Sequence, residues 1–98
     1  MSAIFLQPAL DDLYQATEYF ESISEQLAQR FRRCVAKTID AILTFPRASA
    51  IIRKAYRIRQ VVRFRNYGIL YRIRAGVIFI HAIFYLPRGP RYWRSRLR

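Results

Sequence analysis

The sequence predicts an α+β domain of order β-α-α-β-β-β, a helical hairpin packed on a mainly antiparallel four-stranded sheet. Three observations carry that expectation. Apolar residues recur at steps of three and four through residues 8–46. Beyond residue 54 the period changes to two, in segments rich in Val, Ile, Tyr and Phe. A chain of 98 residues holds one domain and one core, here residues 1–98 with a basic tail at 88–98.

Ala3–Leu6 is short and apolar and reads as a first strand. Pro8 favours a helix start, and Asp11 and Asp12 are expected in its first turn, where the helix dipole stabilises acids. Leu10, Leu13, Thr17 and Phe20 then give a stripe for a helix over 8–21. Ser22 and Glu25 have the spacing of a capping box and are expected to open a second helix. Its stripe runs through Leu27, Phe31, Val35 (or Cys34), Thr38, Ile42 and Phe45, and Pro46 ends it.

A loop is expected over 47–54, followed by strands at 56–62, 67–74 and 77–84. The middle strand alternates Tyr67, Ile69, Tyr71 and Ile73 with Gly68, Leu70, Arg72 and Arg74. Ala75-Gly76 suits a tight hairpin, with Gly supplying positive φ. The last strand is apolar on both faces, as a central strand is. One sheet face should meet the helices, leaving the other free to be polar and working.

The formal charge is +12, and its placement is uneven. Residues 1–40 hold all six acids and four basic groups, a net of −2, whereas residues 41–98 hold fourteen basic groups and no acid. A stretch of that kind repels itself and attracts polyanions: nucleic acid, an anionic membrane or an acidic protein segment. Sixteen of the eighteen basic residues are Arg, which favours bidentate contacts and stacking, although a high-GC genome enriches Arg equally well. Cys34 is the single cysteine, so no intramolecular disulfide forms, and its place in the helical stripe suits a buried small hydrophobe. No signal peptide is readable, and the longest apolar run, 77–86, is half a membrane span. The expected setting is the cytoplasm, with no membrane partner.

The chain resembles the RelE/ParE toxin superfamily, and more closely its ParE-like, plasmid-stabilisation branch. The residues that carry the resemblance run through nearly the whole chain. They begin with Pro8-Ala9, Asp12-Leu13 and Tyr19, and continue with Ala28, Phe31, Ile39, Ile42 and Pro46. Arg57 and Val61 follow, then Phe64 to Arg72, then Ile80 and Ala82 to Phe84, and finally Arg88, Pro90, Trp93 and Arg96. The resemblance implies a growth-inhibiting toxin held in a hetero-oligomer by a co-produced, often acidic antitoxin. ParE-like members poison DNA gyrase; RelE-like members cleave mRNA on the ribosome. Tyr85 stands where many members have His, and Pro87 replaces a family Arg.

A metal-free ribonuclease needs a base, an acid and cations for the phosphorane. Cations are plentiful: Arg57, Arg59, Arg72, Arg74 and Arg88 are candidates for binding target or antitoxin, with Trp93 and Arg96 in the tail. Proton-transfer groups are few. His81 and Tyr85, with Arg72, are the candidates if the chain is an enzyme, and even spacing puts His81 and Tyr85 on one strand face about 13–14 Å apart. A lone His on an apolar strand is more ordinarily structural, and Tyr67 and Tyr71 are more ordinarily core than base-stacking residues. Trp93 either anchors an interface or folds back on the domain. One His and one Cys build no zinc site, and the carboxylates are expected to be solitary or on a solvated helix face. No metal or other cofactor is expected, and the balance favours a toxin that binds gyrase over one that cleaves RNA.

Overall fold

A computed structural model describes residues Ser2–Leu97; Arg98, which closes the expected basic tail, and Met1 lie outside the described residues. The elements are β1 (Ser2–Phe5), α1 (Gln7–Glu21), α2 (Glu25–Thr44), β2 (Ile51–Arg53), β3 (Tyr56–Val61), β4 (Phe64–Arg74) and β5 (Val77–Tyr85). A 3₁₀ turn (Leu86–Arg88) and a short helix, α3 (Pro90–Arg94), follow. The α+β class and the helical hairpin are as the sequence predicts.

α1 begins at Gln7 with Pro8 in its first turn, where a missing N–H is harmless. Its first turn contains no acid, contrary to expectation: Asp11 and Asp12 lie a turn further on. Ala9, Asp12, Ala16 and Phe20 form the buried stripe. The cap of α2 is Ser24, not Ser22: Ser24 Oγ accepts from Leu27 N–H at 3.0 Å, while Ser22 closes α1. The capping-box spacing therefore picked the serine two residues too early. α2 buries Ala28, Phe31, Cys34, Val35, Thr38 and Ile42 on one face.

The sheet has five strands, in order β1-β5-β4-β3-β2, with β1 parallel to β5 and the other pairings antiparallel. The extra strand, β2, falls in the expected loop over 47–54. Its three residues are all exposed, so it carries no burial periodicity to read. Tight turns join the longer strands. Ala75 and Gly76 both have positive φ, 51° and 74°, as a two-residue primed hairpin requires. Gly68 sits where a Cβ would come within 2.8 Å of Leu86 Cδ2.

Two hydrophobic clusters lie on opposite faces of the sheet. The larger joins the helices to Val61, Ile69, Tyr71, Ile78, Ile80 and Ile83. Within it Phe20, Phe31, Phe64 and Tyr67 meet edge-on or tilted, with centroids 4.8–5.7 Å apart, which is the favoured geometry for ring quadrupoles. The smaller is built from Tyr56, Leu70, Ala82 and Phe84, and Tyr92, Trp93 and Leu97 pack against it. The face expected to be polar and free is thus apolar at its centre and covered by the tail.

β5 contains an irregularity that matters for the site. Leu70 pairs with Ala82 but Tyr71 pairs with Ile80, so His81 is an extra residue opposite β4. Such a bulge inverts the alternation of side chains beyond it.

Candidate functional site

Chain geometry beyond the bulge places two groups of residues. On the helix side, Tyr85 pairs with Tyr67 and their rings meet edge-on at 5.6 Å. On the tail side, His81 is 4 % exposed and its ring meets Tyr56 edge-on at 4.9 Å. His81 and Tyr85 therefore face opposite sides of the sheet, where an unbroken strand would have put them together. The even-spacing rule failed because one extra residue reverses parity.

At the end of β5 the helix-side group opens into a cleft of about 410 Å³ between α1 and the sheet. Tyr19, Tyr67, Tyr85, Gln15 and Arg88 line it. A neighbouring hollow of about 360 Å³ shares the three tyrosines and adds Arg63, Arg65 and Asn66. Tyr19 is 58 % exposed and Tyr85 41 %, so two large rings face solvent beside cations. Burial pushes the Tyr67 phenol above its ordinary range, aided by Tyr19 and opposed by Arg88. Tyr67 therefore keeps its proton near neutrality and presents a protonated hydroxyl and an apolar ring to the cleft.

The cleft floor is fixed by Asp12. Its carboxylate is buried, and accepts from Ile83 N–H at 3.0 Å, from Arg96 Nη1 at 2.9 Å and Nη2 at 3.0 Å, and from the Tyr92 hydroxyl. Arg96 Nη1 also donates to the His81 carbonyl at 2.9 Å. One bidentate pair thus ties α1, the bulged strand and the tail together, and satisfies each carboxylate oxygen. Burial first, then the bond to Asp12, raises the Tyr92 phenol; the bond to Asp12 raises Arg96 further. This corrects the expectation that the carboxylates are solitary or solvated. The signal was present in the sequence: Asp12 stands three residues after Ala9 and four before Ala16, on the buried stripe.

The other arginines predicted for binding are dispersed. Arg57 donates to the carbonyls of Arg47 (3.3 Å) and Ser49, and so clamps the segment after α2. Arg72 lies 5.2 Å from the Tyr56 ring centre on the tail side, its Nε buried without a hydrogen-bond partner among the described residues. Arg74 is exposed at the end of β4, beside the hairpin turn. Arg59 faces a separate groove along α2. Arg88 lies over Tyr92 at 5.1 Å and lines the cleft. Trp93 folds back on the smaller cluster, and Arg96 is held by Asp12. Of those seven residues, only Arg88 joins Tyr85 at the cleft, and sequence reasoning missed Tyr19 and Tyr67 as its walls.

Among the described residues, no group of three His, Cys, Asp or Glu could hold a metal ion, and no helix is long and apolar enough to cross a membrane. Cys34 is buried, as its stripe predicts.

The chain is thus a small basic α+β protein, a helical hairpin on a sheet with a tyrosine–arginine cleft at the end of β5. The family model described as the ParE toxin of the type II toxin–antitoxin system, parDE, matches residues 3–85. The chain belongs to the ParE toxin family, and that membership implies an antitoxin partner. The match ends at Tyr85, so the tail that holds Asp12 lies beyond it. A search of curated proteins finds no match.

Proposed function

We propose that the protein inhibits growth by binding DNA gyrase through the cleft of Tyr19, Tyr67, Tyr85 and Arg88, and that an acidic antitoxin neutralises it in the cytoplasm. The observation that carries this reading is the separation of His81 from the cleft by the full thickness of the sheet. A cleaving enzyme needs base, acid and cation around one scissile bond. Here the imidazole packs on Tyr56 beneath the tail, and the buried carboxylate of Asp12 is committed to four donors. What the cleft offers is exposed aromatic area and positive charge, the composition that anchors a protein interface.

The test is purified protein with gyrase and plasmid. Supercoiling is expected to fall, or a cleavage complex to build up, at micromolar protein. Unchanged supercoiling would count against the reading. A RelE-like ribonuclease is the second reading, supported by the exposure of Tyr85 beside Arg88. It requires codon-positioned cuts in translated message that vanish in Tyr85→Phe.

A further inference from the structure

The sheet ends in two unlike edges. At one, β2 shifts register against β3 between Ile51 and Arg53, and Arg53 and Lys54 are exposed there. Irregular pairing and cationic side chains are devices that keep an edge from pairing with another chain. The other edge, β1, has neither. Its sequence, Ser-Ala-Ile-Phe, holds no charge and no proline, and its register with β5 is unbroken from Ser2 to Phe5.

The ladder shows which backbone groups of β1 are free. Leu6 N–H donates to the Ile80 carbonyl at 3.0 Å, and Ile4 pairs with Phe79 in parallel register. Successive residues of a strand direct their N–H and C=O to alternate sides. Ser2, Ile4 and Leu6 therefore bond towards β5. Ala3 and Phe5 turn both groups outward, where no strand among the described residues meets them. Their side chains pack against the larger cluster beneath the helices. Ile4 lies on the opposite face and is 45 % exposed. The tail covers that face around Tyr56, Leu70, Ala82 and Phe84, not at Ile4.

Charge decides the occupant. Residues 1–29 contain no Lys or Arg, while the chain as a whole carries +12. Two copies brought together through their basic halves repel each other; at β1 neither strand brings a cation. An acidic partner finds no positive side chain on β1 to pair with.

We propose that β1 is the interface between two copies of this chain, joined antiparallel about a two-fold axis at Ile4 into one continuous sheet. In that register Ala3 of each copy pairs with Phe5 of the other, and each pair exchanges both main-chain bonds. Every outward group of Ala3 and Phe5 is then used. Ile4 faces Ile4 across the axis as a non-hydrogen-bonded pair, the closer of the two pair types, and the two side chains cover each other. A two-fold contact of this kind consumes the edge on both copies, so association through β1 stops at two. The tyrosine cleft stays open, because Tyr85 lies well past Ile80, where the pairing with β1 ends. The inference rests on this edge and not on the gyrase reading.

The experiment is sedimentation equilibrium of the purified full chain. The contact is one short strand, so a monomer–dimer equilibrium is expected with a dissociation constant on the order of 100 μM. It should tighten as salt screens the net charge. Ile4→Lys sets two cations face to face and should weaken it at least about tenfold, with unchanged circular dichroism. Facing Cα atoms in such a pair lie about 4.5 Å apart, within disulfide reach. Ile4→Cys should therefore crosslink in oxidised glutathione far faster than Ser95→Cys, an exposed control in the tail; Cys34 is buried and stays out of the reaction. A chain still monomeric at about 1 mM, a dimer loosened by salt or untouched by Ile4→Lys, or equal crosslinking at the two cysteines would overturn the proposal. So would slowed amide exchange at Ala3 and Phe5 only in a complex with an acidic protein, which assigns the edge to that partner. Gyrase inhibition is read in a separate assay, so a chain that dimerises but leaves gyrase untouched refutes only the target.

Discussion

Asp12 and Arg96, 84 positions apart in the chain, form a buried ion pair at 2.9 Å that binds the first helix to the tail. Because Ile83 and Tyr92 also donate to Asp12, removing the carboxylate leaves several buried donors unsatisfied. Breaking a buried pair by removing one partner costs roughly 3–5 kcal/mol. Arg96 is 19 % exposed, so the lower end of that range applies. Asp12→Ala and Arg96→Ala should each lower the urea midpoint markedly. The double variant should lose much less than the two single losses together, because neither partner is then left stranded.

His81 lies outside the cleft in both readings and serves as a structural residue. His81→Ala should cost roughly 1–3 kcal/mol of stability, since a buried ring that packs on Tyr56 is lost. Growth inhibition per folded molecule should persist. Growth curves on induction, normalised to soluble folded protein, check this. Loss of inhibition with the fold intact would instead assign the imidazole to chemistry.

Two phenols predict how stability responds to alkali. Tyr67 and Tyr92 are both raised, mainly by burial, so the folded state holds their protons more tightly than the unfolded chain. Their contribution is complete below the unfolded value of about 10 and is lost as pH rises through the folded values. Urea midpoints should therefore fall above that point. Tyr92→Phe should flatten the decline while losing the bond to Asp12 at every pH.

The β4–β5 turn carries a correctable strain. Ala75 sits at φ 51°, a region that Asn enters far more readily than Ala. Ala75→Asn should raise stability by roughly 0.5–1 kcal/mol, seen as a higher thermal midpoint with growth inhibition unchanged.

The fold was legible wherever a periodic burial pattern crosses the sequence. The stripes of α1 and α2 and the alternation in β4 gave their elements to within a few residues. What escaped had no such pattern. β2 is exposed along its length, and the tail packs through Tyr92, Trp93 and Leu97, too short a segment to show a period. The site was legible in composition and misplaced in geometry. Composition points to Tyr85 and Arg88, but the bulge at His81 reverses which residues share their face. A bulge is set by pairing across strands, and nothing local to 77–85 announces it. Nothing in the sequence joins Arg96 to Asp12, because their meeting depends on how the sheet brings the tail back to α1.

The tyrosine cleft is the proposed gripping surface, and a binding titration of gyrase against wild type, Tyr85→Ala and Arg88→Glu probes it. Both residues stand at the surface, so the variants should fold like the wild type. Wild type should bind saturably, and each variant at least about tenfold more weakly, as expected for anchors in an interface. Variants that bind gyrase as tightly as the wild type, or a wild type that does not bind it, would rule this surface out as the gyrase site.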